Sequence, residues 1–168
     1  MKNIVLAFTI VLAVACKQEK IGYVDNVKLI NAYQEKVDVE TKFNAKAAKF
    51  TKKRDSISQS FQLEAQAFQQ RAQSMAQNRA QEEYGLLQQR SQMIGQQLQQ
   101  EEQQLQQENQ TEIDSMVSKV KREISAYGKA NGYAYILSGG DGGSVLYGAE
   151  AHNLTEEITK LLNEKYKK

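Results

Sequence analysis

The chain of 168 residues contains no proline. Proline interrupts helices more strongly than any other residue, because its nitrogen carries no hydrogen and its ring clashes with the preceding turn. From about residue 26 to residue 131 the sequence is also rich in Gln, Ala, Glu, Lys and Leu, all of which favour helices. We therefore predict long helices over this segment and too little apolar material for a large globular core.

Apolar residues in this segment recur at heptad spacing, with alternating steps of three and four that are typical of a coiled-coil seam. Between residues 59 and 110, 20 of 52 residues are Gln, so only the apolar spacing distinguishes this segment from a disordered low-complexity tract. The first series is Phe43, Ala47, Phe50, Ile57, Phe61, Phe68 and Met75, and the second is Leu87, Ile94, Leu98, Leu105, then Ile113, Val120 and Tyr127 after a shift of one residue.

Two seams with a weak stretch between them predict a helical coiled-coil hairpin over residues 35–130. The seam loses continuity after Ala76, and Asn78 and Gly85 lower helix propensity there, so we place the tip near residues 74–81. The alternative is a single uninterrupted helix of about 100 residues, which would be about 150 Å long at a rise of about 1.5 Å per residue. An isolated pair with such thin seams would be marginal, so several chains are expected to assemble.

The two ends of the chain predict a small body that contains β-strands. Residues 21–25 form a predicted strand, and Asp25 can cap a short helix after it, which gives residues 21–34 of the body. Towards the C-terminus, residues 133–137 and 144–147 have strand-like composition and flank a Gly-rich turn, which predicts a β-hairpin.

The last helix completes this body. Asn153-Leu154-Thr155-Glu156 is similar to a capping box, and the apolar residues after it lie on one helix face. Residues 131–168 are therefore predicted to form a β-hairpin and a C-terminal helix. The predicted fold class is α+β, a long antiparallel helical hairpin on a small β-strand body, whose few strands again favour assembly of several chains.

The N-terminus has the order of regions of a secretory signal. Lys2 is followed by an apolar stretch over residues 4–15, which is shorter than the roughly 20 residues that span a bilayer. Small residues directly before Cys16 resemble the lipobox of bacterial lipoproteins, so we predict a signal peptide over residues 1–15, acylation of Cys16 and a linker over residues 16–20. An ordinary signal peptide with a cysteine near its cleavage site is the alternative.

Charge and motif content exclude several classes of protein. Without Lys2 the chain has 21 basic and 20 acidic residues, whereas a nucleic-acid-binding domain is normally strongly basic. The Gly-rich segment 139–143 lacks the Lys-Ser/Thr of a phosphate-binding loop. His152 is the only histidine and cannot form an ordinary zinc site without cysteine partners. We therefore expect no catalytic, cofactor-binding or metal-binding residues, no nucleic-acid partner and no enzymatic activity.

The order of the parts resembles the Skp/OmpH family of periplasmic chaperones across essentially the whole mature chain. The residues that carry the resemblance are KIGYVD at 20–25, NLT at 153–155 and LLN at 161–163, on either side of the polar helical hairpin. The resemblance implies a trimer whose strands join in one body, with hairpin arms around a cavity. It also implies an ATP-independent holdase for unfolded outer-membrane β-barrel proteins, located in the periplasm of a Gram-negative bacterium. Lipid anchoring to the outer membrane is expected from the lipobox-like segment at Cys16 and not from this family resemblance.

Two groups of residues are candidates for contact with such clients. The first consists of apolar residues that either fill the seam or touch clients: Phe43, Phe50, Phe61, Phe68 and Met75. The second is a basic run that forms either a solvated helix face or an electrostatic collar for acidic clients or anionic headgroups: Lys42, Lys46, Lys49, Lys52, Lys53 and Arg54.

A structural lipoprotein that links the outer membrane to the cell wall is the alternative function. The C-terminal segment EKYKK, residues 164–168, is similar to the wall-attached end of the major outer-membrane lipoprotein. A coiled-coil adaptor of an efflux or secretion system would need lipoyl-like or barrel domains, for which the sequence has no corresponding segments.

Acylation at Cys16 is directly testable. Cys16→Ser removes the thiol that would carry the lipid, so the variant should yield a soluble or uncleaved protein that takes up no labelled palmitate. Metabolic palmitate labelling of the wild type and the variant gives the answer, and label that persists in the variant would exclude the lipoprotein interpretation.

Overall fold

The computed structural model describes residues 19–167. The predicted signal peptide, Cys16 and residues 16–18 of the predicted linker lie outside the described residues, as does Lys168. The elements in chain order are β1 (Lys20–Asp25), α1 (Asn26–Ala32), α2 (Gln34–Ala72), α3 (Gln77–Ala130), β2 (Tyr133–Gly139), a 3₁₀ turn (Glu150–His152) and α4 (Thr155–Tyr166).

The described chain divides into two compact units. The sheet unit consists of residues 19–35 and 117–167, and the hairpin unit consists of residues 36–116. The predicted fold class, α+β with a long helical hairpin and a small sheet, is confirmed. Within residues 19–167, no helix combines the length and the hydrophobicity that crossing a membrane requires.

The sheet unit contains a two-stranded parallel sheet and not the predicted β-hairpin. β1 pairs with β2 so that Tyr23 lies opposite Leu137 and Asp25 lies opposite Gly139. Parallel strands cannot be joined by a tight turn and need a crossover connection, which is here the helical segment between residues 26 and 130.

The prediction of a third strand over residues 144–147 was wrong. Val145 makes only an isolated bridge to Gly139, while Leu146 is 100% and Tyr147 is 88% exposed. Gly140 and Gly142 have φ of 78° and 77°, which turns the chain away from β2 immediately after the strand. This segment has strand-like composition, but within residues 19–167 it has no neighbouring strand with which to form a ladder.

The outer edge of β1 is closed by residues 152–155. Leu154 N donates to Tyr23 O at 2.9 Å, and Asp25 N donates to the Thr155 hydroxyl at 2.9 Å. His152 Nδ1 lies 3.0 Å from Ile21 O. These contacts satisfy backbone groups that would otherwise be available to a further strand.

Asp25 caps α1 as predicted, because its Oδ1 accepts from Lys28 N at 3.0 Å. The predicted capping box before α4 was wrong in detail. Asn153 Oδ1 accepts from Thr155 N at 3.1 Å, but Asn153 N donates to Glu150 O and not to Glu156. The backbone oxygen of Glu150, in the preceding 3₁₀ turn, therefore accepts the hydrogen bond from Asn153 N that a capping box would give to the Glu156 side chain.

The core of the sheet unit lies where α1 and α4 meet β1. Its fully buried side chains are Val24, Leu29, Tyr33, Ile158 and Leu162. Burial raises the pKa of Tyr33, and its hydrogen bond to Glu35 raises it further. Since the folded pKa of Tyr33 is raised, this group favours the folded state below the usual pKa of about 10. Its contribution is lost as the pH rises above that value towards the folded pKa.

The hairpin unit consists of α2 from Lys36 onwards and of α3 as far as Met116, in antiparallel arrangement and joined by residues 73–76. Residues 77–81, which the sequence analysis included in the tip, already belong to α3, and Gly85 lies within that helix. The unit has almost no fully buried side chain: α2 buries none, and Met116, the last residue of the unit, is the exception. Its helices therefore contact each other through half-buried residues.

We predict that Ile158→Ala destabilises the protein by about 2–5 kcal/mol, the usual cost of truncating a fully buried isoleucine to alanine. Ile158 is 0% exposed. Lys160→Ala on the exposed side of the same helix is the matched control. Urea unfolding followed by circular dichroism at one protein concentration measures both variants. Equal small effects of the two substitutions would show that α4 does not contribute to the core.

Candidate functional site: the ion-paired helical hairpin

Five ion pairs cross from α2 to α3 within the hairpin unit. Successive partners on α2 are 4, 7, 11 and 7 residues apart, and their partners on α3 are separated by the same steps in the opposite direction. Such steps return to the same side of a helix in a coiled coil, so the pairs follow one face of the hairpin. The pairs are Lys42–Glu112, Lys46–Glu108, Lys53–Glu101, Glu64–Arg90 and Arg71–Glu83.

The order of charges specifies this register. The first three pairs have the cation on α2, the fourth has the cation on α3, and the fifth has it on α2 again. A slip of one heptad in one direction would place Glu64 opposite Glu83, and a slip in the other direction would place Arg71 opposite Arg90. Like charges in contact disfavour both alternatives.

Each pair is exposed, and exposed pairs contribute little singly. The hydrogen bond from Lys46 lowers the pKa of Glu108, and the same bond raises the pKa of Lys46. The contribution of Glu108 is therefore lost as the pH falls through its lowered folded pKa. The contribution of Lys46 is lost as the pH rises through its raised folded pKa. Between these limits the pair favours the antiparallel register.

The structure separates the basic run into paired and unpaired residues. Lys42, Lys46 and Lys53 pair with glutamates of α3, and Arg54 pairs with its neighbour Asp55 at 3.0 Å. Lys49 and Lys52 make no ion pair with any residue from 19 to 167. Sequence reasoning did not identify the glutamate partners, although Glu101, Glu108 and Glu112 repeat the spacing of the lysines.

Four of the five apolar candidate residues lie on α2 and face the seam with α3, and Met75 lies in the connection between the two helices. Phe43, Phe50, Phe61, Phe68 and Met75 are all half-buried. The more exposed large apolar side chains of this unit are others, which the sequence analysis did not single out: Val37, Leu63, Tyr84, Leu86 and Met93. Tyr84 stacks on Phe68 with ring centroids 6.3 Å apart.

An open groove lies between two ion pairs that are seven residues apart on α2. The Phe50 groove has a volume of about 340 Å³ and includes Leu105 of α3 and the unpaired Lys49. Its framing pairs are Lys46–Glu108 and Lys53–Glu101.

The Phe68 groove repeats this arrangement farther along the same two helices. It has a volume of about 240 Å³, and Leu86 and Leu87 of α3 line it together with Phe68. Its framing pairs are Glu64–Arg90 and Arg71–Glu83. At Phe43, where the adjacent pairs are only four residues apart on α2, the space is about 10 Å³. The seven-residue interval therefore leaves room for a side chain.

The space beside the Gly-rich segment 139–143 is filled by a side chain of the protein, that of Asp25. A Cβ on Gly140 would collide with the Asp25 carboxylate, which caps α1. A carboxylate at this position would repel a phosphate. Residues 19–167 contain no group of three or more His, Cys, Asp or Glu side chains that could hold a metal ion.

We expect Glu64→Arg to weaken the packing of the hairpin around the Phe68 groove, because it places two cations at the position of the Glu64–Arg90 pair. The double exchange Glu64→Arg, Arg90→Glu restores opposite charges and should restore the wild-type midpoint for thermal loss of helix, measured by circular dichroism. If the effects of the two single exchanges simply add in the double variant, the pair does not couple the helices.

The comparisons with known proteins agree with this architecture. The family model described as outer membrane protein (OmpH-like) matches residues 20–162. The crystal structure of a candidate outer membrane chaperone (OmpH-like) from Caulobacter crescentus CB15 has a TM-score of 0.77 with this chain at 12% identity. The alignment covers 88% of this chain and 85% of that one. No curated protein matches the sequence. The family match over most of the chain shows that this protein belongs to the OmpH-like outer membrane protein family.

Proposed function

We propose that the protein is an ATP-independent periplasmic holdase chaperone that binds unfolded outer-membrane β-barrel proteins. The observation that carries this proposal is the construction of the hairpin unit. Its two helices have no buried core between them over residues 36–115 and expose apolar side chains, among them Leu63, Leu86 and Met93. The family, and the description of the Caulobacter protein as a candidate chaperone, support the same function.

The chemistry of the hairpin suits many weak contacts with an unfolded chain. Glutamine side chains donate and accept hydrogen bonds without carrying a charge, and the sparse apolar residues add small areas of burial. Strands of an outer-membrane barrel alternate apolar and polar residues and would aggregate in water. Several hairpins acting together would hold such a chain by multivalency, without a specific pocket and without nucleotide.

We propose that several copies assemble through the sheet unit, as a trimer. Among the described residues, the only backbone partner on the outer edge of β2 is Val145, at the end of the strand. Tyr135 and Leu137 on β2 are exposed, as are Leu146 and Tyr147. A two-stranded sheet is marginal by itself, so strands contributed by other copies would stabilise it.

Two lysines of the basic run remain available to attract clients. Since Lys42, Lys46, Lys53 and Arg54 are paired, the attraction of acidic clients or anionic headgroups would depend on the unpaired Lys49 and Lys52 in each copy. We propose that they increase the rate of encounter with clients at low salt and contribute less to holding. Attachment to the outer membrane through lipid at Cys16 completes the proposal.

The experiment is suppression of aggregation of a urea-unfolded barrel protein on dilution, without ATP. The purified protein should keep the client soluble near stoichiometric amounts. Residues 61 and 93 lie opposite each other on α2 and α3, so a short Gly-Ser turn can replace residues 61–93. This replacement should abolish the suppression of client aggregation. The shortened protein should keep its oligomeric state in light scattering, because assembly is assigned to the sheet unit. Aggregation unaffected by the wild type would refute the holdase proposal and leave the wall-linking lipoprotein as the alternative.

A further inference from the structure

The Phe50 and Phe68 grooves form a pair with a defined separation. Both lie on the ion-paired face of the hairpin unit, both combine a half-buried phenylalanine with a leucine of α3, and both are framed by ion pairs seven residues apart. Phe50 and Phe68 are 18 residues apart on α2. At a rise of about 1.5 Å per residue, the two grooves are about 27 Å apart along the helix.

This separation matches the dimensions of an extended chain. At about 3.3 Å per residue, about eight residues of an extended strand span 27 Å. Because side chains alternate between the two sides of a strand, residues separated by an even number such as eight point to the same side. A strand that crosses the outer membrane has about 9–11 residues and alternates apolar and polar side chains. One such segment can therefore place an apolar side chain in each groove.

The charges around the grooves indicate which segments fit. The two framing ion pairs leave no net charge on the rim of the Phe68 groove. Only the Phe50 groove has an additional cation, Lys49, whose ammonium group has no ion-pair partner within the described chain. An uncharged alternating segment suits both grooves, and an acidic residue at the end near Lys49 would complement that cation.

We propose that the Phe50 and Phe68 grooves are two subsites that together hold one extended, uncharged segment of the client through two apolar side chains about eight residues apart. This inference rests on the proposed chaperone function and names the part of the client that the hairpin binds. It also divides the sequence-predicted phenylalanines: Phe50 and Phe68 contact clients, whereas Phe43 lies where the adjacent ion pairs leave only about 10 Å³.

Synthetic peptides with two leucines in a Ser/Thr/Gln background test the spacing. Fluorescence anisotropy should show that a peptide with leucines eight residues apart binds about tenfold more tightly than one with leucines seven apart, or with one leucine, because only the first fills both grooves. Equal affinities for the three peptides would overturn the proposal.

A pair of matched variants tests the Phe68 groove. Leu86→Gln should weaken binding of the eight-residue-spaced peptide about tenfold, to the level of the single-leucine peptide, because Leu86 lines that groove. Leu63→Gln is the control, since Leu63 is 60% exposed, Leu86 is 59% exposed, and Leu63 lines neither groove. Circular dichroism establishes that both variants keep the wild-type helix content. The same loss of affinity in both variants would contradict the assignment to the groove.

Photocrosslinking with the full barrel precursor identifies the occupant directly. A photoreactive residue at position 104 would lie in the Phe50 groove, and one at position 86 would lie in the Phe68 groove. The controls are Gln106 and Gln88, which lie two positions farther along α3, are exposed and line neither groove. Client adducts should form at the first two positions and not at the controls. Adducts between copies of the protein without client adducts, or equal yields at all four positions, would overturn the proposal.

The outcomes separate this inference from the function on which it rests. Failure of the wild type to suppress aggregation of the barrel precursor refutes the chaperone function itself. Suppression by the wild type that is unchanged in Leu86→Gln, together with affinity independent of leucine spacing, refutes only the two-subsite inference.

Discussion

The antiparallel register of α2 and α3 is the constraint on which the hairpin unit depends. With no buried core over residues 36–115, apolar packing alone would allow the two helices to slide, because a heptad seam repeats every seven residues. The mixed order of charges disfavours sliding, since a slip of one heptad places Glu64 opposite Glu83 in one direction and Arg71 opposite Arg90 in the other. Weak exposed ion pairs thus specify the alignment, whereas the half-buried seam provides most of the attraction.

The two grooves of the hairpin unit each lie between ion pairs that are seven residues apart on α2. Four residues between pairs close the space at Phe43, and seven residues leave the grooves at Phe50 and Phe68. The same charges therefore align the helices and shape the surface that the proposed function uses. Because most of its lysines and glutamates are in ion pairs, the hairpin contains many charged residues but its surface has little net charge.

The helices, the strands β1 and β2 and the cap at Asp25 could be predicted from the sequence, because each depends on residues close together in the chain. The pairing of the helices as a hairpin was predicted too, but the pairing of the strands and the ion-pair partners were not. Residues 144–147 have the composition of a strand, but whether they form one depends on a neighbouring strand, which the described part of the chain does not supply. The lysines of the basic run similarly appeared to be free cations, because Glu101, Glu108 and Glu112 become their neighbours only after the register of the hairpin is known.

The parallel pairing of β1 with β2 has a consequence for the order of folding. The strands are separated by more than 100 residues, and direct closure of so long a loop carries a large entropic cost and gives slow folding. Formation of the α2–α3 hairpin brings residues near the two ends of the hairpin unit together, such as Lys42 and Glu112. The effective loop that remains for sheet formation is then short. In a chain that emerges N-terminus first, β1 would stay unpaired until β2, which follows α3, had emerged.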